Sequence, residues 1–433
     1  MKKSASLIVE ELAPKKFGIK GQLWVVFLCV VIVLALYAYY QQFTKGLIIT
    51  GMRDYALWGV YISNFVFFVA ISLVGSLVTA VLRLSGATWS TPITRIAEVI
   101  AVAAIMMGGL TIIIDMGRPD RIANIFMYGR LQSPIIWDVL VISTYLLISL
   151  LLLYYPLLPD FAILKKHFNN RPKLSKWYNK FSLHWTGSKT QFKIYNKSIQ
   201  TLSVLIIPVA FGIHTVTAWL FSTTYRPGWD STNFGPYFIA GAFVAGSGAV
   251  VAIMYVLRRA YKLEDYITDK HFDYMGKLLV LLCLVYLYFN VNEYLVPAYK
   301  RTQEESAHLS DLFTGDYSLM FWLAIGVGLV LPILVLIFKK GRKPLPLFII
   351  GLIVVIGAWW KRYIIVTPTL LHTFVPMEGV PESWHEYWPT SLEWMVTFGT
   401  LAGALLIMTI LFRYLPIIPI HETIEENEER ETV

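Results

Sequence analysis

Residues 135–157 read IIWDVLVISTYLLISLLLLYYPL, a run of 23 positions with one carboxylate, Asp138, and no lysine or arginine. An α-helix rises about 1.5 Å per residue, so roughly 20 apolar residues cross the ~30 Å hydrocarbon of a bilayer. The run does not alternate apolar and polar residues as a barrel strand would. A helix is then the backbone that can satisfy its own polar groups in lipid. Similar runs recur outward in both directions, at 23–42, 57–82, 96–114, 201–222, 237–257, 275–296, 318–338, 346–363 and 392–414. The chain of 433 residues is 56% hydrophobic and 15% charged, against about 25% charged for a soluble domain. The reading is an all-α integral membrane protein of about ten transmembrane helices.

Charge sets the topology. Lysine and arginine outnumber aspartate and glutamate 37 to 28, for a net charge of +9. The excess does not indicate a nucleic-acid partner, because it collects in alternate loops. Lys2, Lys3, Lys15, Lys16 and Lys20 precede the first span, the loop 159–200 carries nine lysines and arginines, and 339–343 carries four. Loop 367–389 has none. Basic loops stay in the cytoplasm, so both termini are expected there, in a multi-pass protein of the bacterial inner membrane. The first apolar run has no small-residue cleavage site and is expected to be retained. The chain divides into a cytoplasmic segment 1–21, a five-helix half 22–222 containing the basic loop, a five-helix half 223–414, and a tail 415–433. That tail is acidic and lacks a core-forming pattern, so it is expected to be solvated and mobile.

Two cysteines, Cys29 and Cys283, lie in apolar runs without a CxxC pattern. They offer neither an iron–sulfur cluster nor a structural zinc and read as small buried hydrophobes. Of eight histidines, His214 alone sits well inside a span, so a bis-histidine haem is not available. No haem, cluster or metal is expected in this chain.

Ionisable groups in hydrocarbon are costly and need a reason to be there. Asp115 ends the third span, and Asp138 lies one turn into the fourth, after Ser133-Pro134. A short connection joins these helices, so the two carboxylates are expected near each other at the outer leaflet. Each can be structural: an acid in a first helical turn complements the helix dipole, and Asp115 could pair with Arg118. Each can also take a proton and hydrogen bond from a hydroxyl-bearing, lipid-soluble substrate. His214, Glu98 and Glu293 are candidates for a proton path, or simply structural. Lys361 and Arg362 read as cations at an outer helix end, paired with acids or a partner.

Asp115-Met-Gly-Arg-Pro followed by Ser133-Pro-x-x-Trp-Asp138 resembles the NrfD/PsrC family of quinone-interacting membrane subunits. Trp137-Asp138-Val139, Gly228-Trp229-Asp230, Pro236-Tyr237-Phe238, His271-Phe-Asp-Tyr-Met-Gly276, Arg362-Tyr363, Thr367-Pro368-Thr369 and Glu393-Trp394 look similar to the C and F subunits of alternative complex III. The resemblance runs from about residue 54 to 414. It implies two four-helix bundles plus peripheral helices, and a quinone, expected to be menaquinone, as bound substrate. By motif it implies a pocket of Asp138, Asp115 and Arg118, with Asn64 and Tyr61 nearby. The implied partners are an iron–sulfur subunit on the outer face, a multihaem cytochrome c and a second homologous membrane subunit. Those relatives often carry histidine where this chain has Asp115, which points to simpler complexes of sulfur or anaerobic respiration.

The expected function is thus quinone binding and electron exchange with an iron–sulfur partner, possible proton translocation included, in an oxidoreductase that is incomplete without its partners. A polytopic transporter and a passive membrane anchor remain the alternatives. A transporter would favour matched breaks at the midplane, whereas Pro208 and Pro332 do not form a matched pair.

Overall fold

The structure, a computed structural model, describes residues 3–84, 88–375 and 378–432, without the side chains of Ser76, Thr88 and 429–432. Lys2 and the side chains that end the acidic tail lie outside the described residues. Among the described residues there is no β-strand. A short α1 (Ala5–Leu12) precedes α2 (Ile19–Lys45), α3 (Val60–Leu84) and α4 (Thr91–Asp115). After the short α5 (Ala123–Tyr128) come α6 (Pro134–Tyr154), α7 (Leu157–His167), α8 (Pro172–Phe181) and α9 (Lys189–Ser222). The second half holds α10 (Phe234–Tyr261), α11 (Asp269–Lys300), α12 (Gln303–Phe313), α13 (Ser318–Trp322) and α14 (Leu331–Leu336). It ends with α15 (Pro344–Leu371), α16 (Ser391–Tyr414) and α17 (Ile420–Thr432). A π-helical stretch, Leu323–Val330, joins α13 to α14, so the three pieces make one span.

Among the described residues, ten helices are long and apolar enough to cross a membrane, one for each run read from the sequence. Helices α3, α4, α6 and α9 pack as one four-helix bundle, and α10, α11, the α13–α14 span and α15 as another. Helix α3 also packs against α10, which joins the bundles, while α2 lies against α16 at the periphery. The close approaches are made by small residues, as expected where lipid supplies no hydrophobic drive between helices. A Cβ on Gly357 of α15 would meet the Cα of Gly328 in the facing span, and one on Gly75 of α3 would overlap the Ala97 carbonyl of α4.

Helix starts follow local chemistry. Thr390 caps α16, its hydroxyl accepting from the Glu393 N–H while the Glu393 side chain returns to the Thr390 N–H, a reciprocal capping box. Ser188 and Gln191 do the same for α9. That helix begins well before its apolar run, because the box nucleates it in the basic loop.

Three expectations change. The acidic tail folds as α17 and docks. Glu422 comes within 3.7 Å of Arg83, Thr91 Oγ1 donates to Glu426 at 2.5 Å, and Asn427 Nδ2 donates to the Lys3 carbonyl at 2.8 Å. Acids with no core pattern thus find partners on the basic face. Second, α15 does not stop at residue 363 but continues to Leu371, which carries Lys361 and Arg362 into the interior, where both are buried. Third, Cys29 is exposed on the outer face of α2, and only Cys283 is buried.

Near the termini a network of buried charges ties the elements together. Glu98 lies 3.2 Å from Arg83 and 3.7 Å from Arg95, and Arg95 lies 3.2 Å from Asp160. The Asp160 carboxylate also accepts from the His421 N–H at 2.9 Å. Helices α3, α4, α7 and α17 are joined through these contacts. Removing one partner of a buried pair costs about 3–5 kcal/mol, because a charge is left uncompensated. Arg95→Ala is therefore expected to lower the thermal unfolding midpoint of the detergent-solubilised protein sharply. A midpoint unchanged from wild type would show that the network adds nothing to stability.

Candidate functional site

Towards the face opposite the termini, the first half buries a cluster of hydroxyl, amide and carboxyl groups. Tyr61, on the first turn of α3, donates to Gln42 Oε1 of α2 at 2.8 Å, and Gln42 Nε2 donates to the Ile114 carbonyl at 2.9 Å. Gln42 thereby covers a carbonyl of the last turn of α4, where intrahelical partners run out. The next residue is Asp115, close enough to Tyr61 and to Glu393 of α16 for their charges to interact. Asp115 is partly buried, and its Oδ1 is enclosed without a hydrogen-bond partner among the described residues.

Glu393 is fully buried and satisfied. Besides closing the cap with Thr390, it accepts from the Gly51 N–H at 2.8 Å and from Tyr387 Oη at 2.7 Å. The Tyr387 hydroxyl in turn accepts from the Val60 N–H at 2.9 Å. Burial, then the neighbouring Glu393 charge, pushes the Tyr387 hydroxyl well above the usual phenol range, so it acts as a fixed hydrogen-bond bridge. Gly59 makes room for it, since a Cβ there would overlap the tyrosine hydroxyl. Asn64, one turn along α3 from Tyr61, is engaged at both ends of its amide. It donates to Thr397 Oγ1 at 3.0 Å and accepts from Trp359 Nε1 at 2.8 Å.

Asp138 occupies a different setting. It is 3% exposed and accepts from Thr217 Oγ1 of α9 at 2.8 Å, with no ion pair among the described residues. His214 lies one turn before Thr217 on the same buried face of α9. Its Nδ1 reaches the Ala210 carbonyl at 3.3 Å, and its Nε2 is enclosed without a partner among the described residues. Arg362 of the second bundle is its charged neighbour.

The structure therefore brings Tyr61 and Asp115 together and aligns Asp138 with His214, but it does not join the two aspartates in a pair. Asp115 shares its surroundings with Glu393, and Asp138 turns toward α9. Arg118 leaves the site altogether: its side chain is 65% exposed and chelates Asp120 at 2.9 and 3.0 Å. Glu98 belongs to the charge network near the termini and Glu293 to the second bundle. Nothing in their positions along the chain places Gln42, Tyr387 and Glu393 around Asp115. Glu393 carries two signals, the Glu393-Trp394 match to the family and the Thr390-x-x-Glu393 cap, and neither one places it beside Asp115.

Ten helices long and apolar enough to cross a membrane among the described residues, eight of them in two bundles with carboxylates held inside, define a polytopic membrane protein with buried acid–base groups. The chain belongs to the NrfD polysulphide reductase family, whose match covers residues 49–374. It is 28% identical to the membrane subunit of a putative dimethyl sulfoxide reductase of Halobacterium salinarum, over 93% of this chain and 92% of that one. It is 24% identical to a subunit of the selenate reductase of Mesobacillus selenatarsenatis, over 90% and 92%. It is 23% identical to the integral membrane subunit of a menaquinone reductase from Nitratidesulfovibrio vulgaris, over 92% of each.

Tyr387 links two elements through one hydroxyl. Tyr387→Phe strands the Val60 N–H and one Glu393 oxygen in a buried setting, a loss of about 1–3 kcal/mol. A lower unfolding midpoint is expected for this variant, and a wild-type midpoint would show that water replaces the hydroxyl without loss.

Proposed function

We propose that this chain is the quinone-reactive integral membrane subunit of a respiratory electron-transfer complex. The observation that carries the reading is Asp115 Oδ1, a carboxylate oxygen enclosed without a hydrogen-bond partner among the described residues and within reach of the charge of Tyr61. It is the feature a hydroxyl-bearing, lipid-soluble substrate would satisfy. The menaquinone reductase relative supports menaquinone as that substrate. Oxidation of a quinol to its quinone releases two protons and two electrons, so the site needs a proton acceptor and an electron exit. Asp115 receives a hydroxyl proton, and the Tyr61–Gln42–Ile114 chain holds the acceptor's surroundings in one arrangement. Asp138, backed by Thr217 and His214, is the second acceptor. The electrons leave to an iron–sulfur subunit on the outer face, and the names of relatives as reductase subunits support such an assembly. A multihaem cytochrome and a second homologous membrane subunit would extend the same electron path.

The packing of α1 against α17 supports a shared side for both termini, and the basic loops on that side support a cytoplasmic location in the cell's cytoplasmic membrane. A fluorescent protein that matures only in the cytoplasm, fused after Val433, is expected to be bright. A dark fusion whose periplasm-active counterpart is functional would reverse the orientation.

Positioned acid–base groups contribute about 10²–10⁴-fold to rate. Asp115→Asn and Asp138→Asn, each in the assembled complex, are expected to lose about 100-fold or more of quinol-dependent electron transfer. Reduction of the complex by an artificial donor that bypasses the membrane subunit should stay at the wild-type rate. Full quinol activity in both variants would reject the assignment.

A further inference from the structure

The second bundle contains a buried set of acid–base groups that quinone chemistry at Asp115 and Asp138 does not use. Glu293 of α11 is 6% exposed, and its Oε2 is enclosed without a hydrogen-bond partner among the described residues. The groups around it are the Ser231 hydroxyl, Asp230 and Lys361. Lys361 is 2% exposed. Its amino group is hydrogen-bonded to Tyr294 and stands 4.5 Å from the Tyr294 ring centroid, 5.1 Å from that of Phe321 and 5.9 Å from that of Tyr237.

Glu293 opens on a cavity of about 30 Å³ that also receives Tyr237, Glu305 and His308. That volume accommodates an ordered water, which needs roughly 10–15 Å³ and two or more polar partners. Two partners are present as enclosed atoms without a hydrogen bond among the described residues, Glu293 Oε2 and His308 Nδ1. Glu305 is already committed to Thr302 Oγ1 at 2.9 Å and to Lys300 at 3.6 Å.

His308 belongs to α12, a helix that covers the end of the bundle opposite the termini. Gly228, at φ +87°, lets the ring sit close, since a Cβ there would stand 3.2 Å from His308 Nε2. Burial, reinforced by His372 and Lys361, lowers His308 to about 3, so its ring is neutral at physiological pH. A neutral imidazole can accept a proton at one nitrogen while releasing one from the other. The His308 ring meets the His372 ring edge-on, with centroids 5.3 Å apart. His372 Nδ1 is 3.0 Å from the Pro368 carbonyl, and His372 Nε2 is 3.3 Å from Asp311 Oδ2. The carbonyl can only accept, so Nδ1 carries the ring proton, and Nε2 is the nitrogen that can take up a proton and share it with the Asp311 carboxylate. Asp311 is 42% exposed and meets solvent.

We propose that Glu293, water in the cavity, His308 and the His372–Asp311 pair form a proton route. It links the interior of the second bundle to the aqueous phase on the face opposite the termini. Only protons move: one leaves the Glu293 carboxyl for the water, the water passes one to His308 Nδ1, the imidazole releases the one on Nε2 to His372 Nε2, and the Asp311 carboxylate takes it from there to solvent. The route stands on its own groups and does not depend on the quinone assignment.

The test uses the purified chain with its native partners in liposomes, without quinone and without electron donors, oriented with the α12 face outward. A pH jump is applied to the outer solution, and the Glu293 carboxyl signal, identified by its loss in Glu293→Gln, is followed by infrared spectroscopy. The signal is expected to follow the outer pH, and His308→Phe is expected to slow it at least tenfold while leaving its final amplitude unchanged. His372→Gln, at a partly exposed position, should slow it in the same direction and serves if the phenylalanine variant fails to assemble. A Glu293 signal that ignores the outer pH, or one that responds at the wild-type rate in the assembled variants, overturns the route. Because no quinone is present, either result leaves the assignment of Asp115 and Asp138 to be judged by its own experiment.

Discussion

Hydrocarbon supplies no hydrogen-bond partner, so a polar group carried into it must find one within the protein or wait for a ligand or water. The arrangement of this chain follows from how each buried polar group meets that constraint. Arg83, Glu98, Arg95 and Asp160 meet it by pairing with one another, and the pairing draws in α7 and α17. Glu393 meets it with four donors from two loops and its own helix start. Asn64 meets it by joining α3 to α15 and α16. These satisfied groups act as fasteners between helices that could otherwise slide in lipid.

Among the acid–base groups that do not meet the constraint internally, two sets matter for chemistry. One is Asp115, at the level where α2, α3, α4 and α16 come together, surrounded by fasteners that hold it still. The other is the second bundle and the α12 helix over its end, where Glu293, Arg362 and His308 keep enclosed atoms without hydrogen-bond partners among the described residues. Arg362 shows how closely the second set is packed: a Cβ on Gly241 would stand 2.7 Å from its guanidinium. His214 lies between the two regions, sharing a helix face with the Thr217 that holds Asp138 and feeling the charge of Arg362. Helix α3 packs against both bundles, so a shift at one region has a mechanical path to the other.

Part of the site is legible in the sequence. Asp138 and Asp115 stand out because a carboxylate in a long apolar run is rare, and the reason for that rarity is local. Their environments are not legible there. A short connection between two helices suggests neighbouring ends, but not which way each side chain turns, and here Asp115 faces α3 and α16 while Asp138 faces α9. Arg118 departs from the site because Asp120, two residues along, captures it in solvent. Lys361 and Arg362 end an apolar run in the sequence, where the aromatic residues of other helices that make their burial possible cannot be counted.

Apolar length and loop charge are properties of single segments. The helical class and the ten apolar runs, with the expectation that both termini share a side, are therefore readable without any knowledge of packing. Hydrophobic transfer and charge placement act on each segment before it meets another. Which buried charges cancel, which hydroxyl bridges which carboxylate, and which oxygen is left open depend on contacts between segments far apart in the chain. Tyr387 with Val60, Gln42 with Ile114 and His308 with His372 are such contacts, and a one-residue turn of any helix would break them. The chemistry of the site emerges only once the helices are packed, because an unpaired group is defined by everything around it.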